Sequence, residues 1–278
     1  MKTIFDSLSS RTSRMVTNAY STSFSLGIRF LAPKFREPVY AVYGFVRFAD
    51  EIVDTFHEYD KHSLLEEFKQ DTYKAIDRRI SLNPVLNSFQ KVVHEYNIET
   101  WMIDTFINSM EMDIEKRSYD DCGYREYILG SAEVVGLMCL KIFVEGDEQQ
   151  YNDLKSSAMK LGSAFQKINF LRDFQADVNE LGRQYFPQLQ QQTFDSRTKS
   201  EIEADIMKDF EEAFEGIKRL PKNARFGVYV AYVYYLNLLK KIMALQPQQV
   251  MKQRIRIPDN QKYVLFFGSY LRHSFNMI

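Results

Sequence analysis

The chain is poor in residues that interrupt helices, with 11 glycines and 7 prolines in 278 residues. So few turn formers argue against a fold of many short strands and tight hairpins and for long helices joined by short loops. Cysteine is scarce as well. Cys122 and Cys139 are too few for a disulfide framework and lack metal-ligand spacing. Both read as free thiols, Cys139 in the core, as suits a reducing compartment. No sign of charge dominates: 36 basic against 37 acidic residues leave a net charge of −1. The chain therefore carries no broad field for nucleic acid or an anionic membrane, and any anion it handles must meet a local site. The opening residues, MKTIFDSLSSRTSR, hold no long apolar run, so no secretory signal is expected. Nor does the sequence show a run of about 18 apolar residues. The nearest, Gly227 to Ala244, is broken by Asn237, Lys240 and Lys241. The expected setting is the cytoplasm.

What the chain has is apolar and aromatic material. Hydrophobic residues make up 45% of it, including 22 Phe and 17 Tyr, enough for a sizeable core and a ring-rich interior. Its periodicity is helical almost throughout. The pattern predicts helices over about 13–23, 35–57, 62–80, 84–95, 99–117, 124–144, 148–181, 199–219, 222–245 and 260–276. Without a repeat, a long linker or a shift in composition, one all-α domain over 1–278 is the simplest organisation.

Two of these helices carry carboxylates where little else is polar. In Tyr40-Ala-Val-Tyr-Gly-Phe-Val-Arg-Phe-Ala-Asp-Glu-Ile-Val-Asp54, the side chains of Tyr43, Arg47, Asp50 and Asp54 fall within roughly 60° of helical arc. Asp-x-x-x-Asp is common on solvated faces. Such a face, however, carries Lys and Glu in numbers, and this one is surrounded by Ala, Val, Ile and Phe. Carboxylates in that setting must be paired, hydrated or bound to metal. A second stripe, Gln166, Asn169, Asp173 and Asp177, occupies roughly 80° of its helix, while Phe165, Ile168, Leu171 and Phe174 point elsewhere. If the two stripes face each other, their oxygen donors suit a hard cation, chiefly Mg²⁺, shared with substrate phosphates. Arg47, Arg172 and Arg183 lie close by in sequence, Arg183 and Tyr185 just after the second stripe, and arginine's forked donor fits phosphate oxygens.

These residues resemble the motifs of the squalene/phytoene synthases along nearly the whole chain. Tyr20-Ser-Thr-Ser-Phe24 is similar to the family's Ser-x-Ser-Phe element, with Ser21, Ser23 and Phe24 at the substrate. Tyr43, Arg47 and Asp50-Glu-Ile-Val-Asp54 resemble its first aspartate-rich motif, and Met110-Glu-Met-Asp113 a mid-chain element. Gln166, Asn169-Phe-Leu-Arg-Asp173 and Asp177 resemble the second motif, and Gly182-Arg-Gln-Tyr-Phe-Pro187 its ending. Arg256-Ile-Pro and Lys262 resemble a further basic element. One stretch departs from the pattern. Where the family has a small-residue Ala-Gly-Thr-Val-Gly run, this chain has Leu129, Glu133 and Val134 before Gly136. Glu133 is expected to point away from the channel.

The resemblance implies the all-helical isoprenoid synthase fold, with helices around a central active-site channel, and a head-to-head condensation of two prenyl diphosphates. It implies Asp50, Asp54, Asn169, Asp173 and Asp177 as ligands of Mg²⁺, with Mn²⁺ a conceivable substitute. Asp50, Asp54, Asp173, Asp177 and Tyr43 are the implied catalytic group. Ser21, Ser23, Phe24, Arg47, Gln166, Arg183, Tyr185 and Arg256 are the implied substrate-binding group. Two geranylgeranyl diphosphates giving phytoene, without NADPH, is the first expectation. A squalene-type or dehydrosqualene-type synthase acting on farnesyl diphosphate is the alternative, and a non-catalytic, assembly-type relative the least favoured. The partners are prenyl diphosphates and no nucleic acid, with peripheral membrane contact through Lys240 and Lys241 an open option. Prenyl length, C15 or C20, and oligomeric state stay open at this stage.

Overall fold

The computed structural model describes residues 2–258, and not the side chains of Thr22 and Ser23. The predicted helix at 260–276 and Lys262 lie outside the described residues. The order is α1 (Lys2–Tyr20), α2 (Thr22–Arg29), α3 (Pro33–Thr55), α4 (Lys61–Arg78), α5 (Pro84–Glu95), α6 (Thr100–Glu115) and α7 (Asp121–Ile128). A π-helical turn (Leu129–Glu133) leads into α8 (Val134–Val144), followed by α9 (Glu148–Asn179), a 3₁₀ turn (Pro187–Gln190), α10 (Ser196–Arg219), α11 (Lys222–Met243) and α12 (Pro247–Val250). No strand occurs among the described residues; a single β-bridge joins Ser118 to Gln184.

Local chemistry sets the helix starts. Asp60, Asn83, Asp120, Asp147 and Asp195 each accept backbone N–H bonds at an N-cap, and Pro33 and Pro84 begin α3 and α5. These devices are visible in the sequence, and α3 through α11 fall close to the predicted spans. The N-terminus differs. The chain is helical from Lys2, not from about residue 13, and breaks at Ser21, whose Oγ accepts from the Phe24 N–H at 3.1 Å to start α2. The periodicity missed the first turns because α1 buries Ser9, Ser13 and Thr17, a polar inner face that a hydrophobic pattern cannot show.

A second correction concerns Asp121–Val144. Taken as one helical stretch it is 24 residues long and apolar enough to cross a membrane, which the search for uninterrupted runs overlooked. Some 67% of its apolar window is buried in the fold, as in a core helix. It packs backbone against backbone. A Cβ on Gly130 would come within 2.5 Å of the Thr105 carbonyl, and one on Gly162 within 2.6 Å of the Ala132 carbonyl. Glycine at these two places lets α6 and α9 close on the π-turn, drawing α9 tightly along the stretch that carries the second stripe.

Candidate active site

Helices α3 and α9 face one cavity of about 640 Å³. Along α9 it is lined from Leu154 to Asp177, through Ala158, Leu161, Phe165, Asn169 and Asp173 at spacings of three and four, with Phe170 and Arg172 widening that face near the acidic end. The acidic end is the mouth, and Leu154 is the far end. From α3 come Tyr43, Arg47, Asp50 and Asp54; from α2 and the turn before it, Ser21 and Phe24. The two stripes therefore meet, as the sequence reading required.

The mouth is a lattice of carboxylates and guanidinium groups. Arg47 bonds Asp50 and Glu51, and its guanidinium sits 4.2 Å over the Tyr20 ring. Its Nε is buried without a partner. Arg172 pairs with Asp173 through Nε at 3.0 Å and Nη2 at 2.5 Å, and Arg254 reaches the same carboxylate at 2.8 Å. Among the described residues no cation touches Asp177. Burial together with the charges of Asp173 and Asp54 pushes its carboxyl up to about 8. Burial and the Asp54 charge push Asp50 up to about 7, against the pull of Arg47. Asn169 donates to Gln166 at 3.3 Å and accepts from the Tyr235 hydroxyl at 3.4 Å. Tyr43 stacks on Phe24 with ring centroids 5.0 Å apart, and burial raises its hydroxyl to about 12.

Several predicted residues stand differently from expectation. Arg183 is 3% exposed and does not line the cavity. It lies behind the mouth, donating to Asp54 at 2.5 Å and to the Val53 carbonyl at 3.0 Å. Tyr185 does line it, but its hydroxyl is turned onto Asp113 at 3.1 Å. Arg256 is exposed and outside the cavity; Arg254 takes the place expected of it. Burial alternates here, with Ile255 and Ile257 buried between exposed Arg254 and Arg256, and the Ile255 N–H bonds the Arg172 carbonyl at 3.2 Å. Residues 254 and 256 thus point alike in period, and only the pinning to α9 decides which one reaches inward. Ser23 is the second residue of α2, with its side chain outside the described residues. Glu133 points away as expected, accepting from Ser163 at 2.7 Å while Ser131, Ala132 and Val135 line the wall. Cys139 is partly buried, packing against the core as expected while also lining the cavity.

Asp113 carries the feature the sequence reading missed. This carboxylate is 2% exposed and receives the hydroxyls of Tyr127 at 2.6 Å, Tyr185 at 3.1 Å and Tyr119 at 3.3 Å. Burial raises it to about 6, although Arg183 and the Tyr127 bond draw it down. Tyr119 and Tyr127 follow Asp113 by 6 and 14 residues, beyond the end of its helix, and Tyr185 by 72, so no helical spacing signals their convergence. As arranged, no three acidic or imidazole side chains among the described residues sit close enough together to hold an ion. Asp50, Asp54 and Asp173 are instead each paired with arginine: Asp50 with Arg47, Asp54 with Arg183, and Asp173 with Arg172 and Arg254.

Comparison with known proteins fits this architecture. A chloroplastic phytoene synthase 1 of Solanum lycopersicum is 26% identical over 247 residues, 81% of this chain and 59% of the relative. A presqualene diphosphate synthase of Rhodopseudomonas palustris is 28% identical over 176 residues, 61% of this chain and 59% of that one. The chain thus spans about three fifths of the length of these curated relatives. Among solved structures, a dehydrosqualene synthase in complex with a ligand superposes with a TM-score of 0.79 at 20% identity, covering 96% of this chain and 98% of the other. That likeness establishes a shared all-α fold. Residues 17–261 match the family described as squalene/phytoene synthase, to which this chain belongs.

Proposed function

We propose that the chain joins two prenyl diphosphates head to head, taking two molecules of geranylgeranyl diphosphate to phytoene. The observation that carries this reading is the continuity of a charged mouth with a long apolar cavity along one face of α9. From Asn169 to Leu154 the helix rises about 22 Å. An extended C20 prenyl chain, at about 1.25 Å of advance per carbon–carbon bond, spans roughly 19 Å, and a C15 chain about 14 Å. The cavity length supports the longer substrate, with the diphosphate at Asp50, Asp54, Asp173 and Asp177.

In the proposed reaction one diphosphate leaves with the electron pair of its C1–O bond. The C2–C3 double bond of the second molecule attacks the allylic cation, and proton loss closes a cyclopropylcarbinyl diphosphate. Loss of the second diphosphate, rearrangement and loss of another proton give the hydrocarbon, with no reductant. Carboxylates crowded enough to be pushed up to about 7 and 8 have an excess of negative charge that a divalent cation would relieve. Asp50, Asp54, Asn169, Asp173 and Asp177 would hold Mg²⁺, or Mn²⁺ in its place. Bound there, the metal would neutralise diphosphate oxygens and favour departure of the leaving group.

The protein groups do the rest. Arg47, Arg172 and Arg254 exchange carboxylate partners for diphosphate oxygens, and the free Nε of Arg47 adds a donor. Ser21 Oγ accepts from the Phe24 N–H and also bonds the Tyr43 side chain, and its hydroxyl would turn from Tyr43 to donate to the substrate. Arg183 holds Asp54 from behind. The rings of Phe24, Tyr43, Phe165 and Tyr235 line the cavity, turning π-faces to a cation and excluding water that would quench it. Incubating the protein with Mg²⁺ and either geranylgeranyl or farnesyl diphosphate, with and without NADPH, tests the reading by product mass. A C40 hydrocarbon without NADPH supports it. A C30 hydrocarbon replaces it with the squalene or dehydrosqualene reading, which the NADPH requirement then divides. Absence of any product from folded protein favours a non-catalytic relative.

A further inference from the structure

Helix α1 is built with its polarity inverted. The face turned toward α3 and α5 carries Ser9, Ser13 and Thr17, all fully buried. Ser9 and Thr17 return their hydroxyls to carbonyls one turn back, each at 2.9 Å, and Ser9 accepts from Asn87 at 3.0 Å. The opposite face carries Ile4, Leu8, Arg11 and Met15, spaced by four, three and four and so aligned in one stripe. Ile4 is 75% exposed, Leu8 52% and Met15 68%. A helix held by its own core turns its apolar residues inward. These three contribute little to that core and leave the helix with an apolar outer face.

Charge indicates what covers that face. Lys2, Arg11 and Arg14 are exposed on α1. Asp6 is the helix's single acid, and Lys2 already neutralises it at 2.9 Å. Arg11 and Arg14 have no carboxylate partner among the described residues; Arg14 lies 5.9 Å from the Tyr40 ring. A stripe about 16 Å long that is apolar at Ile4, Leu8 and Met15, holds Arg11 and is flanked by Arg14, neither with a carboxylate partner among the described residues, has the composition of a helix that lies in the interface of an anionic bilayer. The position is informative too, since α1 ends at Tyr20 and Ser21, which both line the cavity.

We propose that the outer face of α1 docks on an anionic lipid bilayer and sets the cavity mouth at the membrane–water interface. The inference stands on α1 alone; a lipid-like substrate and product would give the docking a use but are not needed for it. The test is co-sedimentation of the purified chain with vesicles of phosphatidylcholine, alone or mixed with phosphatidylglycerol, at low and high salt. Partitioning to the mixed vesicles should exceed that to the neutral ones at least about tenfold and weaken with salt. Ile4→Glu with Leu8→Glu should lower it at least about tenfold, and Arg11→Glu several-fold, with circular dichroism and thermal melting unchanged because these side chains face solvent.

Absence of wild-type binding to the mixed vesicles overturns the proposal. Binding that the Ile4→Glu, Leu8→Glu variant retains overturns it as well. So does a dimer in size-exclusion chromatography that this variant abolishes while vesicle binding is absent, since the face would then belong to a second copy of the chain. Sedimentation requires no turnover. A protein that binds vesicles but makes no hydrocarbon supports the docking and counts against the condensation.

Discussion

Replacing Arg183 by methionine separates two roles for this residue. If Arg183 bound substrate directly, its loss would weaken diphosphate affinity and leave the fold alone. The structure puts it beneath the mouth, 3% exposed, with Asp54 at 2.5 Å and the Val53 carbonyl at 3.0 Å. Removing one partner of a buried pair costs about 3–5 kcal/mol because the other charge is left uncompensated. The Asp54 side chain is 34% exposed and recovers hydration, which leaves about 1 kcal/mol from that pair; with the charge of buried Asp113 also left uncompensated, about 3 kcal/mol in all is expected at pH 8. At roughly 2 °C per kcal/mol for a chain of this size, the melting temperature should fall by about 6 °C.

The loss should depend on pH through Asp113. Its folded value, about 6, lies above its ordinary 3.8. It therefore favours the fold below about pH 4 and loses that contribution as pH rises through 6. Arg183 is what holds the folded value down, so in the variant it climbs further. Near pH 5 Asp113 is largely protonated in both proteins and the deficit is small, about 1 kcal/mol from Asp54. It should then widen as pH rises from 6 to 8. Melting followed by circular dichroism from pH 5 to 8 measures this directly. A variant as stable as wild type at pH 8, or a deficit equal at pH 5 and pH 8, refutes the reasoning.

Other expectations concern the mouth and the cavity. Asp50→Asn and Asp173→Asn should each lower turnover by about 100-fold or more, as should metal chelation in the wild type, while leaving circular dichroism intact; unchanged turnover removes the residue from the site. Arg254→Ala should raise the KM for the diphosphate about tenfold, and Arg256→Ala should leave it within about twofold; the reverse order would show that the extended segment sits in the other register. Ala158→Phe, which shortens the cavity from its far half, should shift the C30-to-C40 product ratio toward C30 about tenfold in a mixed-substrate assay; an unaltered ratio would place the prenyl chain elsewhere.

The acidic stripes were legible because a buried carboxylate is expensive, so Asp50, Asp54, Asp173 and Asp177 on apolar helices stand out against their neighbours. Helix starts were legible for a similarly local reason at Asn83-Pro84 and Gly146-Asp147, whereas the cap at Asp195 starts α10 three residues before the predicted 199. What escaped the reading depends on contacts between distant segments. The Tyr119, Tyr127 and Tyr185 hydroxyls find Asp113 only after the chain folds. Arg183 could be seen as a cation near the second stripe, but not as the support behind Asp54. Arg254 reaches inward because Ile255 is tied to Arg172, and α1 hid its first turns by burying serines where a pattern search looks for leucines.

The most direct test is to count products from one reaction tube. Geranylgeranyl diphosphate is supplied as sole substrate with Mg²⁺ and no NADPH, and inorganic diphosphate and hydrocarbon are both quantified. Head-to-head condensation predicts two diphosphates released for each C40 hydrocarbon formed. Diphosphate release accompanied only by a C20 alcohol or a C20 hydrocarbon would contradict it.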